Sequence, residues 1–218
     1  MIQIRSLFPL LAESSNKTIS SKIILLEKSE SVGEMYSEIK QKTGADKIFR
    51  LSVFLTNKNK LIFSTPTGPD MNTDLSDLEF CAKTGRGIIQ KLGIEPKIGI
   101  ISGGREGDLG RNEVVDKTIE DAKNLQKLLE QEGISATHYT ILIEDAIKEA
   151  DFLILPDSLS GEMILKTVAG IGEGREIGNI WMLKKADGKC IENPIYIEQL
   201  TKKADPKDLE ILKEALEM

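Results

Sequence analysis

From Leu75 onward the chain alternates apolar runs of strand length with segments of helix length, and this alternation restricts the fold more than any other feature. A helix over about 75–92 ends at Gly93, a strand follows over 97–101, a helix over 113–132 ends at Gly133, and a strand follows over 137–143. A short helix over 144–150 then leads into a strand over 151–155, a helix over 161–169 and a strand over 179–183. Strands joined through helices at this spacing do not close as hairpins. Each crossover returns the chain to the edge where the previous strand began, which gives an α/β fold with a mainly parallel sheet and helices on both faces. Gly85 and Gly87 interrupt the first of these helices, each at a cost of about 1 kcal/mol, and imply a close backbone approach or a kink.

Upstream the pattern changes. Lys22–Glu27 (KIILLE) reads as a short buried strand. Ser31 and Glu34 stand at capping-box spacing before a helix that carries Val32, Met35, Tyr36 and Ile39 on one face and stops at Gly44. The runs 48–55 and 60–64 form a hairpin around Asn57-Lys58-Asn59, and the two prolines and the glycine of 65–70 mark a turn crossing between lobes. A last strand is expected near 194–197, followed by an amphipathic helix over 205–218 with Leu209, Leu212 and Leu216 on one side.

Composition limits what such a sheet can serve. The 29 Lys and Arg are outnumbered by 35 Asp and Glu, a formal charge of −6 over 218 residues, so there is no basic excess to neutralise a nucleic-acid backbone. A local basic loop can still hold a small anion. The two cysteines, Cys81 and Cys190, form no CxxC, which excludes a disulfide scaffold, a zinc ribbon and a thioredoxin-type pair and suggests a reducing compartment. The single histidine, His138, rules out a His-rich metal site and argues against a Ser-His-Asp triad. Beside a strand, it reads as a packing residue without a role. The apolar run at the amino terminus is broken by Arg5 and Pro9, and no stretch approaches the roughly 20 apolar residues of a membrane span. A cytoplasmic protein without a metal, touching neither membrane nor nucleic acid, is expected.

Three loops have the residues to carry chemistry. In Ile98–Arg111 an apolar strand runs into Ser102-Gly103-Gly104-Arg105-Glu106-Gly107-Asp108-Leu109-Gly110-Arg111. Glycines let backbone N–H groups approach an oxyanion, and Arg105 and Arg111 add charge and bidentate donors. Phosphate is the natural ligand, although neither the P-loop nor the dinucleotide fingerprint is present. The same residues suit a connector whose arginines pair with Glu113 and Asp116 of the following helix. In Leu155–Glu162, Asp157 follows a strand and Ser160 stands where it can cap the next helix. In 170–178 the glycine density exceeds the need of one turn, and Arg175 offers a further cation.

These stretches, LGIEPKIGIISGGREGDLGRNEVVDKTIEDA (92–122) and ILIEDAIKEADFLILPDSLSGEMILKTVAGIGEG (141–174), resemble the methanogenesis marker protein 4 (MtxX) group. That group is similar to the phosphate acetyl/butyryl transferases. The resemblance covers about 63–189 and implies a two-lobed architecture of the isocitrate/isopropylmalate dehydrogenase type with the site in the cleft between lobes. It divides the chain into a short, divergent amino-terminal lobe over 1–65, an acyltransferase-like region over 66–190, and a terminal strand and helix over 191–218 packing back on the first lobe. Ser102 and Gly107, Asp157 and Gly161, and the glycines of 170–178 fall where the transferases have their motifs. Glu162 departs from their usual Asn, and the Asp-x-Ser-Arg ending with their catalytic serine and arginine falls near Cys190–Pro194, which has neither residue.

The resemblance implies a protein of methanogen metabolism that binds a phosphorylated or coenzyme A-type ligand, with acyl transfer between coenzyme A and phosphate if it is active. The expected catalytic residues are Ser102 and Asp157. The expected ligand-binding residues are Gly103, Gly104, Arg105, Gly107, Arg111, Ser160 and Arg175. Phosphate or coenzyme A would be exchanged ligands rather than tightly bound cofactors, and similarity to the transferases implies a homodimer. The competing reading is a noncatalytic ligand-binding or methyltransferase-associated accessory protein.

Overall fold

A computed structural model of the protein describes residues 8, 23–26, 32–68, 70, 73–200 and 204–217. Among these residues nine strands form one sheet: β1 (Ile23–Leu25), β2 (Lys47–Leu55), β3 (Leu61–Thr67), β4 (Ile98–Ile100), β5 (Ala136–His138), β6 (Phe152–Ile154), β7 (Arg175–Lys184), β8 (Cys190–Ile191) and β9 (Ile195–Glu198). Six helices accompany them among the described residues: α1 (Val32–Thr43), α2 (Leu75–Lys91), α3 (Glu113–Gln131), α4 (Ile143–Glu149), α5 (Ser158–Gly170) and α6 (Pro206–Glu217).

The strand order is β1-β9-β7-β2-β3-β6-β4-β5, with β8 on β7. β3, β6, β4 and β5 are parallel, as crossovers through α2, α3 and α4 require. The hairpin β2–β3 and the seams β2–β7 and β7–β9 are antiparallel. The result is a mixed sheet, continuous through both expected boundaries, since residues 65–66 lie in β3 and residues 190–191 form β8.

Alternation along β2 explains how the two faces are filled. Phe49, Leu51, Val53 and Leu55 point into the larger core, which packs against α2, α3 and α6, and Ile48 and Phe54 point to the opposite face under α1 and α5. Period-two alternation with both faces apolar is what a strand buried on two sides needs. Gly85 permits the close approach of α2 to the sheet, because a Cβ there would lie 2.5 Å from Phe152 Cζ, whereas Gly87 meets nothing within 4 Å. The second face also carries a buried polar layer. Arg50 reaches Glu162 Oε1 at 2.9 Å and pairs with Glu198, and Ser52 bonds Thr67 at 2.9 Å and Asn179 at 2.6 Å.

Several expectations need correction. The stretch 65–70 is not a turn throughout: β3 continues to Thr67 and the chain leaves the sheet at Gly68, with Pro69 outside the described residues. Pro66 fits inside a strand because the β2–β3 register shifts between Arg50 and Ser52, where the ladder does not require its missing N–H. The strand expected over 137–143 is three residues long, since β5 is an edge strand pairing only with the equally short β4. α5 begins at Ser158 rather than at 161, and β7 begins at Arg175, inside the expected glycine loop.

Candidate functional site

The C-terminal ends of β4, β5 and β6 lie at one edge of the sheet, where open parallel sheets bind ligands. Ser102 stands two residues past the end of β4, and its N–H donates to Thr140 O at 2.8 Å. Its hydroxyl donates to Gly104 O at 2.9 Å and lies 2.9 Å from His138 Nε2. Ser102 is only 1% exposed, so its hydroxyl faces the protein. His138, at the end of β5, is half-buried, and burial followed by the charge of Lys123 lowers its pKa below the ordinary value, with Glu106 opposing. Thr140 holds φ 57°, an unfavourable backbone for a β-branched residue, and its hydroxyl is buried without a partner among the described residues.

Most polar groups of the 102–111 loop are already engaged. Gly103 N–H donates to Thr118 Oγ1 at 2.8 Å, Arg105 N–H to Asp108 Oδ2 at 2.8 Å, and Gly110 N–H to Asp116 at 3.0 Å. Arg111 donates to Asp108 Oδ1 at 2.7 Å. Gly104 is required by packing, since a Cβ there would lie 2.6 Å from Val115 Cγ1, while one at Gly107 would meet nothing within 4 Å. The guanidinium of Arg105 is exposed and makes no ion pair among the described residues.

After β6, Asp157 rather than Ser160 caps α5. Its carboxylate accepts from Ser160 N–H at 2.7 Å and from Ser160 Oγ at 3.0 Å, satisfying donors that the helix itself cannot. Because β4 and β6 are parallel neighbours, Ser102 and Asp157 share one edge. Arg175 does not join them. β7 starts beside Leu55, at the opposite edge, and Arg175 pairs with Asp208 at 3.2 Å. Glu162 faces Arg50 inside the protein. The Cys190–Pro194 stretch stands on the outer side of β7, five strand positions from β4, or about 24 Å at ordinary strand spacing. Exposed apolar side chains Leu109, Val114, Ile141, Leu159 and Met163 follow the three strand ends.

Sequence reasoning assigned His138 a packing place without a role and passed over Thr140, whereas the structure sets both against Ser102. The available signal was positional: a polar residue ending a strand parallel to the one before Ser102 must arrive beside it.

Comparison with solved structures identifies the fold. The fold is that of a branched-chain phosphotransacylase from Enterococcus faecalis V583, with TM-score 0.66, 14% identity, and 98% of this chain and 78% of that one covered. A phosphotransacetylase from Streptococcus pyogenes matches at TM-score 0.64 and 17% identity, over 89% of this chain and 62% of that one. A 4-hydroxythreonine-4-phosphate dehydrogenase from Klebsiella pneumoniae matches at TM-score 0.57 and 12% identity, over 98% and 69%. In sequence the chain is similar to proteins named mtx subunit X. It is 42% identical over 142 residues to "Putative methyltransferase mtx subunit X" of Methanosarcina barkeri, covering 65% of this chain and 52% of that protein. It is also 30% identical over 128 residues to an uncharacterized methyltransferase of Methanocaldococcus jannaschii, covering 55% and 52%. The chain thus spans about half the length of the curated relatives it matches. No protein-family model matches it. No described helix is long and apolar enough to cross a membrane.

Proposed function

We propose that the chain is a phosphate acyltransferase-type protein that receives a phosphorylated or coenzyme A-type ligand over the C-terminal ends of β6, β4 and β5, and moves an acyl group between coenzyme A and phosphate. The observation that carries this reading is the adjacency of the Ser102 and Asp157 loops on parallel neighbours within a phosphotransacylase fold. Arg105 is the cation best placed to meet an anion, being exposed and without an ion pair among the described residues, whereas Arg111 must first leave Asp108. A thermal-shift series with inorganic phosphate, acetyl phosphate and coenzyme A tests it. A saturable rise with at least one of them is expected, because a ligand that binds only the folded state stabilises it by mass action. No shift with any of the three defeats the reading.

The accessory-protein reading is favoured by Cys190–Pro194, which has neither serine nor arginine, and by the loop donors held by Asp108 and Asp116. A ligand-induced shift without thioester formation from acetyl phosphate and coenzyme A would select it. Turnover of about 10 per second, ordinary for an enzyme, would exclude it.

A further inference from the structure

We propose that His138 is the proton acceptor of this site, acting through Nδ1 on the thiol of a coenzyme A-type ligand while Ser102 holds its ring in the Nε2–H tautomer. The inference rests on the acyl-transfer reading above, and hydrogen-bond accounting carries it. A serine hydroxyl has one proton. In Ser102 that proton is directed to Gly104 O at 2.9 Å, so the 2.9 Å contact with His138 is made with the ring nitrogen as donor. A neutral imidazole whose Nε2 donates has its lone pair on Nδ1, and Nδ1 has no hydrogen-bond partner among the described residues.

The surroundings keep the ring neutral and ready to accept. Lys123 of α3 and Glu106 of the short turn 106–108 are the charged groups that act on it, and they are themselves paired at 2.8 Å. Gln126 of α3 accepts the His138 backbone N–H at 3.2 Å, fixing the residue at the end of the strand. Thr140, two residues on, holds the unfavourable backbone that brings its carbonyl to Ser102 N–H. Strain concentrated beside a serine–histidine contact at a strand end is the pattern of a pre-organised site.

The step balances. The thiol proton passes to Nδ1 and the sulfur attacks the carbonyl carbon of an acyl phosphate. The carbon–sulfur bond forms, and the carbon–oxygen bond to phosphate breaks with its electron pair leaving on phosphate. The imidazolium proton then passes to the released phosphate or to water. Ser102 touches no reacting atom and is a positioning residue.

Because the chain has one histidine, a long-range proton–nitrogen correlation spectrum of the wild-type protein reads the tautomer without assignment. Protonated Nε2 and bare Nδ1 are expected at pH 8, with the bias lost in Ser102→Ala. A protonated Nδ1 would overturn the proposal. In the thioester assay, His138→Gln should lower the rate about 100-fold or more, the usual range for a lost general base, and remove the fall in rate on the acid side of the wild-type pH profile. An unchanged rate and profile in a folded His138→Gln protein would overturn the base role alone. A wild-type protein that is stabilised by coenzyme A or phosphate but forms no thioester would overturn it too, leaving ligand binding intact. No thermal shift with any ligand would instead remove the reading beneath it.

Discussion

Arg50 sits 4% exposed between Glu162 and Glu198, with its guanidinium carbon 5.1 Å from the Tyr36 ring centroid and 5.9 Å from that of Trp181. Trp181 Nε1 donates to Glu198 at 2.7 Å. Removing the cation leaves the buried Glu198 carboxylate without its charge partner beside the partly exposed Glu162, so Arg50→Met should cost about 3–5 kcal/mol in urea unfolding. Adding Glu198→Leu should restore part of that loss. The same pairing gives Glu162 a structural reason to stand where the transferases usually have Asn. His138 supplies a second residue-level prediction. Burial and Lys123 lower its folded pKa, so near and below the ordinary value of about 6.5 the unfolded chain binds the proton more readily. Its contribution is present above that value and lost as pH falls through the folded pKa. Glu198 and Asp208, raised by burial, act in the opposite direction, losing stability as pH rises above the usual carboxylate range. The difference between wild type and His138→Gln isolates the histidine: the wild-type stability should fall more steeply between pH 7 and 5.

Elements meet here at glycines that allow no side chain. α5 lies on β3 at Gly161, where a Cβ would stand 2.2 Å from Pro66 O and 2.7 Å from Thr67 Cγ2. A carbonyl in the sheet cannot withdraw, so Gly161→Ala should destabilise by about 2–3 kcal/mol. Gly107→Ala meets nothing within 4 Å and should change stability by no more than about 0.5 kcal/mol. If that variant still loses a phosphate-induced thermal shift, Gly107 serves the ligand and not the fold. At the start of α5, Asp157→Ala should cost about 1 kcal/mol, and Asp157→Asn only a fraction of that, since the amide oxygen can still cap. The Asn variant therefore separates the carboxylate's charge from its role at the helix end.

Across the whole molecule, protection should follow strand order. β2 lies between β3 and β7 with both ladders formed and both faces covered, whereas β5 has one neighbour and β8 pairs only two residues. Hydrogen exchange read by mass spectrometry should find the slowest amides in β2, near Leu51 and Val53, and much faster exchange in β5 and β8. Comparable exchange in β5 and β2 would mean that the sheet does not open from its parallel edge.

The helices, the hairpin, the parallel half of the sheet and the loops that follow β4 and β6 were legible in the order of residues. Those features rest on local periodicity, capping and crossover length, which act over a few residues or one connection. Tertiary structure alone decided that β7 inserts beside β2. That seam sends Arg175 to the far edge and sets Cys190–Pro194 five strand positions from β4 and Ser102. It also decided that His138 meets Ser102 and that Arg50 meets Glu162, contacts between residues 36 and 112 positions apart. No local pattern encodes such pairs, because they depend on which strands become neighbours, and that is decided by the burial of two apolar faces at once.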